Sequence, residues 1–229
     1  MIEKKKNIGG HRKPSNINDT ANISNINLFN YKNNYIKIGT HNVRGFNLET
    51  KQREMFDEYK HLDIDIIGIT ETKLSEKQGK NTLNNKKIYK SWWTGNQEKS
   101  KTGGVGIAVK IGLDKHVVNV IKKLGRLISI DLNFRGSTKT RIINVYINCN
   151  EKEKTERNQL INELVKLIDE AQSKNYNLIV MGDMNADIEK YDDMTRLATK
   201  GKYKIIQTLR NKNLLDSQAI TNEGRLEPT

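Results

Sequence analysis

Carboxylate and amide side chains stand at the ends of apolar runs in this sequence. Glu71 comes directly after one such run, Asn42 ends another, and Asp183 and Asn185 follow a third within the segment Gly-Asp-Met-Asn. Carboxylate oxygens suit a hard cation such as magnesium, which usually takes one or two carboxylates. An Asp can orient or activate a water, and an Asn amide can donate to a phosphoryl oxygen. Residues of these types, brought together, would support metal-assisted chemistry on a phosphate.

Each of these features also has an ordinary structural interpretation. Asp183 and Asn185 are two positions apart, so an extended backbone would point them the same way, and Gly182 would permit close approach. The same segment is equally typical of a turn. Tyr146 lies in an apolar run, where its hydroxyl could reach a phosphate oxygen or its ring could simply pack in the core. Glu71 in isolation would be an ordinary solvated carboxylate.

The elements that must position these residues follow from apolar periodicity. Alternation predicts a strand at 35–43, and residues 48–62 carry one apolar helical face. The clearest helix is predicted at 153–171, and a strand returns at 177–181. Between residues 88 and 147 several apolar runs follow one another without a helix, which indicates antiparallel hairpins. This order predicts an α/β fold of two packed sheets with helices outside.

Charge and composition favour a polyanionic partner and divide the chain into two parts. Lys and Arg number 40 against 27 Asp and Glu, for a formal net charge of +13. Neutralising phosphates releases counterions, which drives binding, although a coding bias toward Lys, Asn and Ile would give the same charge. Residues 1–34 are rich in Asn, Ser and Lys without a sustained period. We therefore predict a disordered basic leader at 1–34 and one domain at 35–229.

Cysteine usage and hydropathy bear on the compartment. The single cysteine, Cys149, excludes an internal disulfide framework and favours a reducing compartment. No apolar stretch approaches the roughly 20 residues of a membrane span. The N-terminus lacks the apolar core of a secretory signal. We expect an intracellular protein outside the membrane, and the sequence leaves its oligomeric state open.

Five segments in a fixed order carry a resemblance to a known superfamily. They are Thr40–Gly45, Ile69–Lys73, Gly103–Ala108, Asn144–Tyr146 and Val180–Asn185. Together they resemble the endonuclease/exonuclease/phosphatase superfamily, which shares the DNase-I-like fold. The amino-acid sequence of these segments looks most similar to that of the endonuclease domains of LINE-type retrotransposons. The resemblance implies a four-layer α-β-β-α sandwich over 35–229.

The resemblance also implies a hydrolase site, cofactor and partner. Asn42 would help organise the metal and phosphate site, and Glu71 would be the main ligand of magnesium (Mg2+), or of manganese (Mn2+) in its place. Tyr146 would contact the scissile phosphate, Asp183 would position or activate the attacking water, and Asn185 would hold the phosphate. The partner would be DNA, and the location nuclear. The expected reaction is nicking of one DNA strand by phosphodiester hydrolysis.

The sequence departs from the superfamily pattern toward its C-terminus. Neither Arg-Ile-Asp nor Ser-Asp-His occurs, and none of the four histidines follows Asn185. We therefore expect a fold incomplete at the C-terminus and a nuclease that is weak or inactive, since loss of an acid/base residue costs about 10²–10⁴-fold in rate. Whether the chain is an enzyme stays open. The alternatives are hydrolysis of RNA or of a small phosphorylated substrate, and a non-catalytic nucleic-acid-binding remnant.

Overall fold

A computed structural model describes residues 22–26, 35–82, 88–95, 103–148, 150–186 and 203–217. Within these ranges nine strands form two sheets. The first sheet has the order β1-β2-β3-β5-β4, and its strands are β1 (Asn22–Ile26), β2 (Ile36–Asn42), β3 (Ile66–Thr70), β4 (Tyr89–Thr94) and β5 (Val105–Lys110). The second sheet has the order β6-β7-β8-β9, and its strands are β6 (Val117–Lys123), β7 (Leu127–Asn133), β8 (Lys139–Tyr146) and β9 (Asn177–Asp183).

Four α-helices accompany the sheets in the described ranges: α1 (Glu49–His61), α2 (Glu76–Asn81), α3 (Lys154–Ser173) and α4 (Lys204–Asn211). Helix α1 connects β2 to β3, and α3 connects β8 to β9. Both strand pairs are parallel, whereas the other pairs in the two sheets are antiparallel. Parallel neighbours require a crossover of this kind. The carboxyl ends of β2 and β3 therefore lie at one edge of the first sheet, and those of β8 and β9 at one edge of the second.

The two sheets pack face to face over an apolar core. Ile38 and Ile107 enter this core from the first sheet, and Ile130 and Ile142 enter it from the second. Each has 3% or less of its surface exposed, so the interface excludes water. Alternate residues of each strand face this interior, as in other packed sheets.

The outer faces of both sheets are covered by helices. Phe56 and Tyr59 of α1 pack with Ile67 of β3 in one buried cluster. Leu164 of α3 and Ile205 of α4 belong to another, together with buried residues of β7 and β8. The layers are thus helix, sheet, sheet and helix, which confirms the predicted four-layer α/β sandwich.

A buried ion pair lies between the second sheet and α3. The guanidinium of Arg141 donates to both carboxylate oxygens of Asp131, at 2.6 and 2.8 Å, and to the Leu167 carbonyl at 3.1 Å. Glu170 of α3 accepts a further bond at 2.9 Å. Hydrogen bonds to Asp131 in particular raise the pKa of Arg141. Because both side chains of the Arg141–Asp131 pair are almost fully buried, each needs the other to satisfy its charge.

The predicted disordered leader is wrong for five of its residues. Asn22–Ile26 forms β1 and pairs antiparallel with β2, from Asn22 opposite Thr40 to Ile26 opposite Ile36. The outer edge of β2 would otherwise present unpaired backbone groups, and an extended segment satisfies them whatever its composition. The rest of 1–34, like Cys149, lies outside the described residues. In the described part of the chain, no helix has the length and apolar character to cross a membrane.

Candidate active site

The two parallel strand pairs end at the same place in the sandwich. Asn42 is the last residue of β2, and Glu71 follows β3 directly. Across the interface, Tyr146 ends β8 and is in register with Asp183, which ends β9. The Nδ2 group of Asn42 donates to Glu71 Oε1 at 3.1 Å and to Asp183 Oδ2 at 2.6 Å. Asn42, Glu71, Tyr146 and Asp183 therefore form one group, the strand-end cluster.

The orientation of the Asn42 amide is set by its own oxygen. Asn42 Oδ1 accepts a hydrogen bond from the backbone N–H of Arg44 at 3.1 Å, so the NH₂ group faces the two carboxylates. The chain around it is locally strained, because Arg44 has a φ of 48° and Glu71 a φ of 52°. Such left-handed residues persist where surrounding bonds hold them, and they are enriched at functional sites. Here the Gly45 N–H donates to the Glu71 carbonyl at 2.7 Å.

Tyr146 places a protonated phenol beside Glu71. Burial, followed by its hydrogen bond to the Glu71 carboxylate, raises the pKa of Tyr146 above its usual range. The hydroxyl consequently remains a hydrogen-bond donor at neutral and moderately alkaline pH. It is half-buried at the mouth of the interface between the sheets, where a donor can meet an incoming phosphate oxygen.

Arg126 is a residue of this region that sequence reasoning missed. Its guanidinium lies over the Tyr146 ring at 5.4 Å, and its Nη2 pairs with Glu153 at 2.9 Å. Its Nη1 is buried and has no hydrogen-bond partner among the described residues. Gly103 lies against this side chain, since a Cβ there would be in van der Waals contact with Arg126 at 3.4 Å. The dipeptide Gly-Arg before β7 carries no distinctive signal in the sequence.

The segment after β9 differs from the predicted alternation. The strand ends at Asp183, and Asn185 adopts a φ of 47°, so the two residues do not occupy alternate positions of one extended strand. Asn185 instead donates its backbone N–H to Asp183 Oδ1 at 2.9 Å and its Nδ2 to the Ile147 carbonyl at 2.9 Å. Asp183 is therefore held through both carboxylate oxygens. Gly182, with a φ of 124°, allows the close approach expected of it, since a Cβ would overlap the Val145 carbonyl.

The donor set fits a divalent ion of the magnesium class. Two carboxylates, of Glu71 and Asp183, converge on one neutral amide, and this local negative charge favours a cation. No group of three or more His, Cys, Asp or Glu residues assembles as a metal cage among the described residues. Magnesium needs no such cage, since it commonly binds one or two carboxylates and keeps waters or phosphates as its other ligands. The chemistry of the cluster thus agrees with that cation.

The described histidines have other positions. His41 lies beside Asn42 in sequence, but its side chain is buried and its Nδ1 forms a 2.9 Å hydrogen bond with the Tyr59 hydroxyl. His116 pairs through Nδ1 with the Asn133 carbonyl at 3.1 Å, and His61 is exposed at the end of α1. These contacts agree with packing or surface roles.

Comparisons with known proteins identify a family and a fold. A profile of the Endonuclease/Exonuclease/phosphatase family matches residues 39–212. No curated protein matches the chain. Nucleases of this family are generally dependent on divalent metal ions.

Three solved structures illustrate the shared fold. The 3'-5' exonuclease NExo from Neisseria meningitidis is 19% identical, with a TM-score of 0.61, over 80% of this chain and 73% of its own. The AP endonuclease LMAP from Leishmania major is 16% identical, with a TM-score of 0.63, over 84% and 71%. A NExo variant bound to a product DNA hairpin is 21% identical, with a TM-score of 0.56, over 81% and 74%. Identities this low indicate a common fold.

Proposed function

Because this chain belongs to the endonuclease/exonuclease/phosphatase family, we propose that it is a magnesium-dependent phosphodiesterase that nicks DNA. The observation that carries the proposal is the Asn42 amide, which joins Glu71 of one sheet to Asp183 of the other. We further propose that it is an endonuclease domain of the LINE retroelement type acting in the nucleus. The amino-acid sequence of its five motif segments supports that branch of the family.

Each member of the strand-end cluster has a distinct task in this proposal. Glu71 would hold the magnesium ion, which supplies a Lewis acid for a phosphate oxygen. Asp183, fixed through both oxygens, orients and accepts a proton from the attacking water. Asn42 keeps the two carboxylates at a set separation. Tyr146 would exchange the hydrogen bond that it gives to Glu71 for one to the scissile phosphate, and its raised pKa keeps the phenol protonated for this role.

The direct contacts of Asn185 differ from those of the four residues of the strand-end cluster. Its backbone N–H holds Asp183 while its amide nitrogen bonds the Ile147 carbonyl. We propose that it acts on Asp183 in the free protein and reaches the phosphate by exchanging its bond to Ile147 when substrate binds.

Nucleic acid is the substrate that charge favours. The net charge of +13 attracts a polyanion. Arg126 adds a local cation over the Tyr146 ring, which favours an anionic substrate near the strand-end cluster. The solved structures of an AP endonuclease and of a 3' phosphatase bound to a product DNA hairpin support DNA as the polymer.

Nicking of a supercoiled plasmid tests the proposal. We expect slow conversion to the open circle with Mg2+ or Mn2+, none with EDTA, and loss of conversion in Glu71→Gln. Glu49→Gln is the matched control, since Glu49 is an exposed residue of α1 paired with Arg53. Equal nicking by Glu71→Gln and the unchanged protein would refute the assignment. Release of inorganic phosphate from a small ester, or cleavage of RNA alone, would favour the other substrate classes.

The second candidate is nucleic-acid binding without catalysis. It is favoured by the positions of His41, His61 and His116, which leave the strand-end cluster without an imidazole from the described residues. The lack of a histidine acid/base costs about 10²–10⁴-fold in rate, which in this candidate brings cleavage below detection. This candidate predicts salt-sensitive DNA binding, with log affinity falling as log salt rises, and no cleavage with any divalent ion.

A further inference from the structure

A single buried side chain ties the two sheets together just beneath the strand-end cluster. Asn144 of β8 is fully buried, and its Nδ2 donates to the Ile69 carbonyl at 3.1 Å and to the Gly106 carbonyl at 2.9 Å. Both acceptors belong to the first sheet, where Ile69 and Gly106 are opposite partners in the β3–β5 ladder. Asn144 therefore bridges from the second sheet to two strands of the first.

The space around Asn144 is shaped by two glycines. A Cβ at Gly68 would lie 2.8 Å from Asn144 Oδ1, and one at Gly182 would lie 2.9 Å from the same atom. Contacts under 3.0 Å would force one side to shift. The Oδ1 atom has no hydrogen-bond partner among the described residues. A buried carbonyl left unpaired is costly, so the amide at 144 needs a reason beyond filling space.

The position of this bridge supplies that reason. Ile69 precedes Glu71 by two residues, and Tyr146 follows Asn144 by two on β8. Gly182, which contacts the amide, directly precedes Asp183. The Ile69–Gly106 pair is the last one of the β3–β5 ladder before the chain turns toward Glu71. Asn144 thus contacts each sheet one or two residues before a side chain of the strand-end cluster.

We propose that Asn144 is a positioning residue that sets the spacing between the two halves of the site, Glu71 on the first sheet and Tyr146 and Asp183 on the second. The inference rests on the proposed function. Apolar burial between the sheets is non-directional, whereas a carboxamide bonded to two fixed carbonyls defines one spacing. The Asn42 amide can reach both carboxylates only at such a spacing.

Replacement of the bridge tests the role. Asn144→Leu keeps the number and branching of the side-chain heavy atoms and removes both donors. We expect kcat for plasmid nicking to fall about 100-fold with KM changed less than about threefold, as for a displacement near 1 Å within a site. Thr140→Val is the matched control: Thr140 lies on the same face of β8, four residues earlier, and its buried hydroxyl has no partner among the described residues. Thr140→Val should leave kcat unchanged.

Hydrogen exchange gives a readout that does not depend on nuclease activity. In Asn144→Leu, amide exchange should rise at 69–73, 104–107 and 181–185 and stay unchanged in α1 and α3. A uniform rise, or kcat per folded molecule within about threefold of the unchanged protein, would overturn the inference. If the unchanged protein does not nick DNA, the proposed function fails, and the local exchange pattern alone decides the role of Asn144.

A second variant covers the case in which Asn144→Leu does not fold. Gly68→Ala adds one methyl group that would press on Asn144 Oδ1 and on the Met181 Cε, each at 2.8 Å. The displaced amide should reproduce the loss of kcat and the same exchange pattern. Full kcat in folded Gly68→Ala would count against the inference.

Discussion

Asn42→Asp converts the neutral amide of the strand-end cluster into a third carboxylate of the same shape. In the unchanged protein this amide donates to Glu71 at 3.1 Å and to Asp183 at 2.6 Å. The substitution removes both hydrogen bonds and places three negative charges around one point. Without a divalent ion it should therefore destabilise the protein. A divalent ion should offset the effect, because three converging carboxylates favour a cation more than two do.

The size of the effect follows from the contacts. Each lost hydrogen bond to a charged group contributes about 1.5–3 kcal/mol in other proteins. Two unit charges about 3 Å apart in a water-accessible site repel by roughly 1.4 kcal/mol. Both carboxylates are partly exposed and can move apart, so we expect a net loss of about 2–4 kcal/mol. For a chain of this length that corresponds to a drop in Tm of roughly 4–16 °C.

Thermal unfolding with EDTA and with Mg2+ or Mn2+ measures the prediction. Asn119→Asp is the matched control, since Asn119 also donates to a carboxylate, that of Asp131, at 3.0 Å. Asp131 is already paired with Arg141, away from the strand-end cluster. We expect a lower Tm for both variants in EDTA and a metal-dependent recovery for Asn42→Asp alone. Equal metal responses in the two variants would refute the view that Asn42, Glu71 and Asp183 surround one cation.

Three further predictions concern the phenols and the buried ion pair. Tyr146→Phe removes the hydroxyl beside the carboxylates. The rate of nicking should fall about 10–100-fold, while the free energy of unfolding in urea should fall by less than about 1.5 kcal/mol. Unchanged nicking would contradict the role of the hydroxyl. Burial raises the pKa of Tyr59, Tyr89 and Tyr146 above 10.0 in the folded protein. Their contribution to stability is complete below pH 10 and should be lost as pH rises through the higher folded pKa values, by up to about 1.4 kcal/mol per pH unit for each tyrosine. A urea unfolding midpoint that stays constant between pH 9 and 11 would exclude this. Arg141→Met leaves the Asp131 charge buried and unpaired, and should lower the free energy of unfolding by about 3–5 kcal/mol. The double variant with Asp131→Leu should recover most of this loss. A single variant as stable as the unchanged protein would contradict the pairing.

The local pattern of apolar and polar residues predicted most of the secondary structure. Strand alternation and helical stripes depend on which residues face a core, and a core of Ile, Leu and Val leaves that pattern in any sequence. The predicted strand at 35–43 is observed at Ile36–Asn42, and the predicted helix at 153–171 at Lys154–Ser173. The predicted packing of two sheets between helices is confirmed for the same reason. The five-residue strand at Asn22–Ile26 was missed, because it is defined by the edge of β2 and not by its own composition.

The sequence by itself determined that chemistry-bearing residues lie at, within or just after apolar runs: Asn42, Glu71, Tyr146 and Asp183. Only the tertiary structure decided that they meet. Asn42 and Asp183 are separated by 141 positions and lie on different sheets, so their 2.6 Å contact depends on strand order and sheet spacing. No local propensity encodes either. The same holds for the bridge from Asn144 and for Arg126 over the Tyr146 ring, whose partners are chosen by packing across the interface.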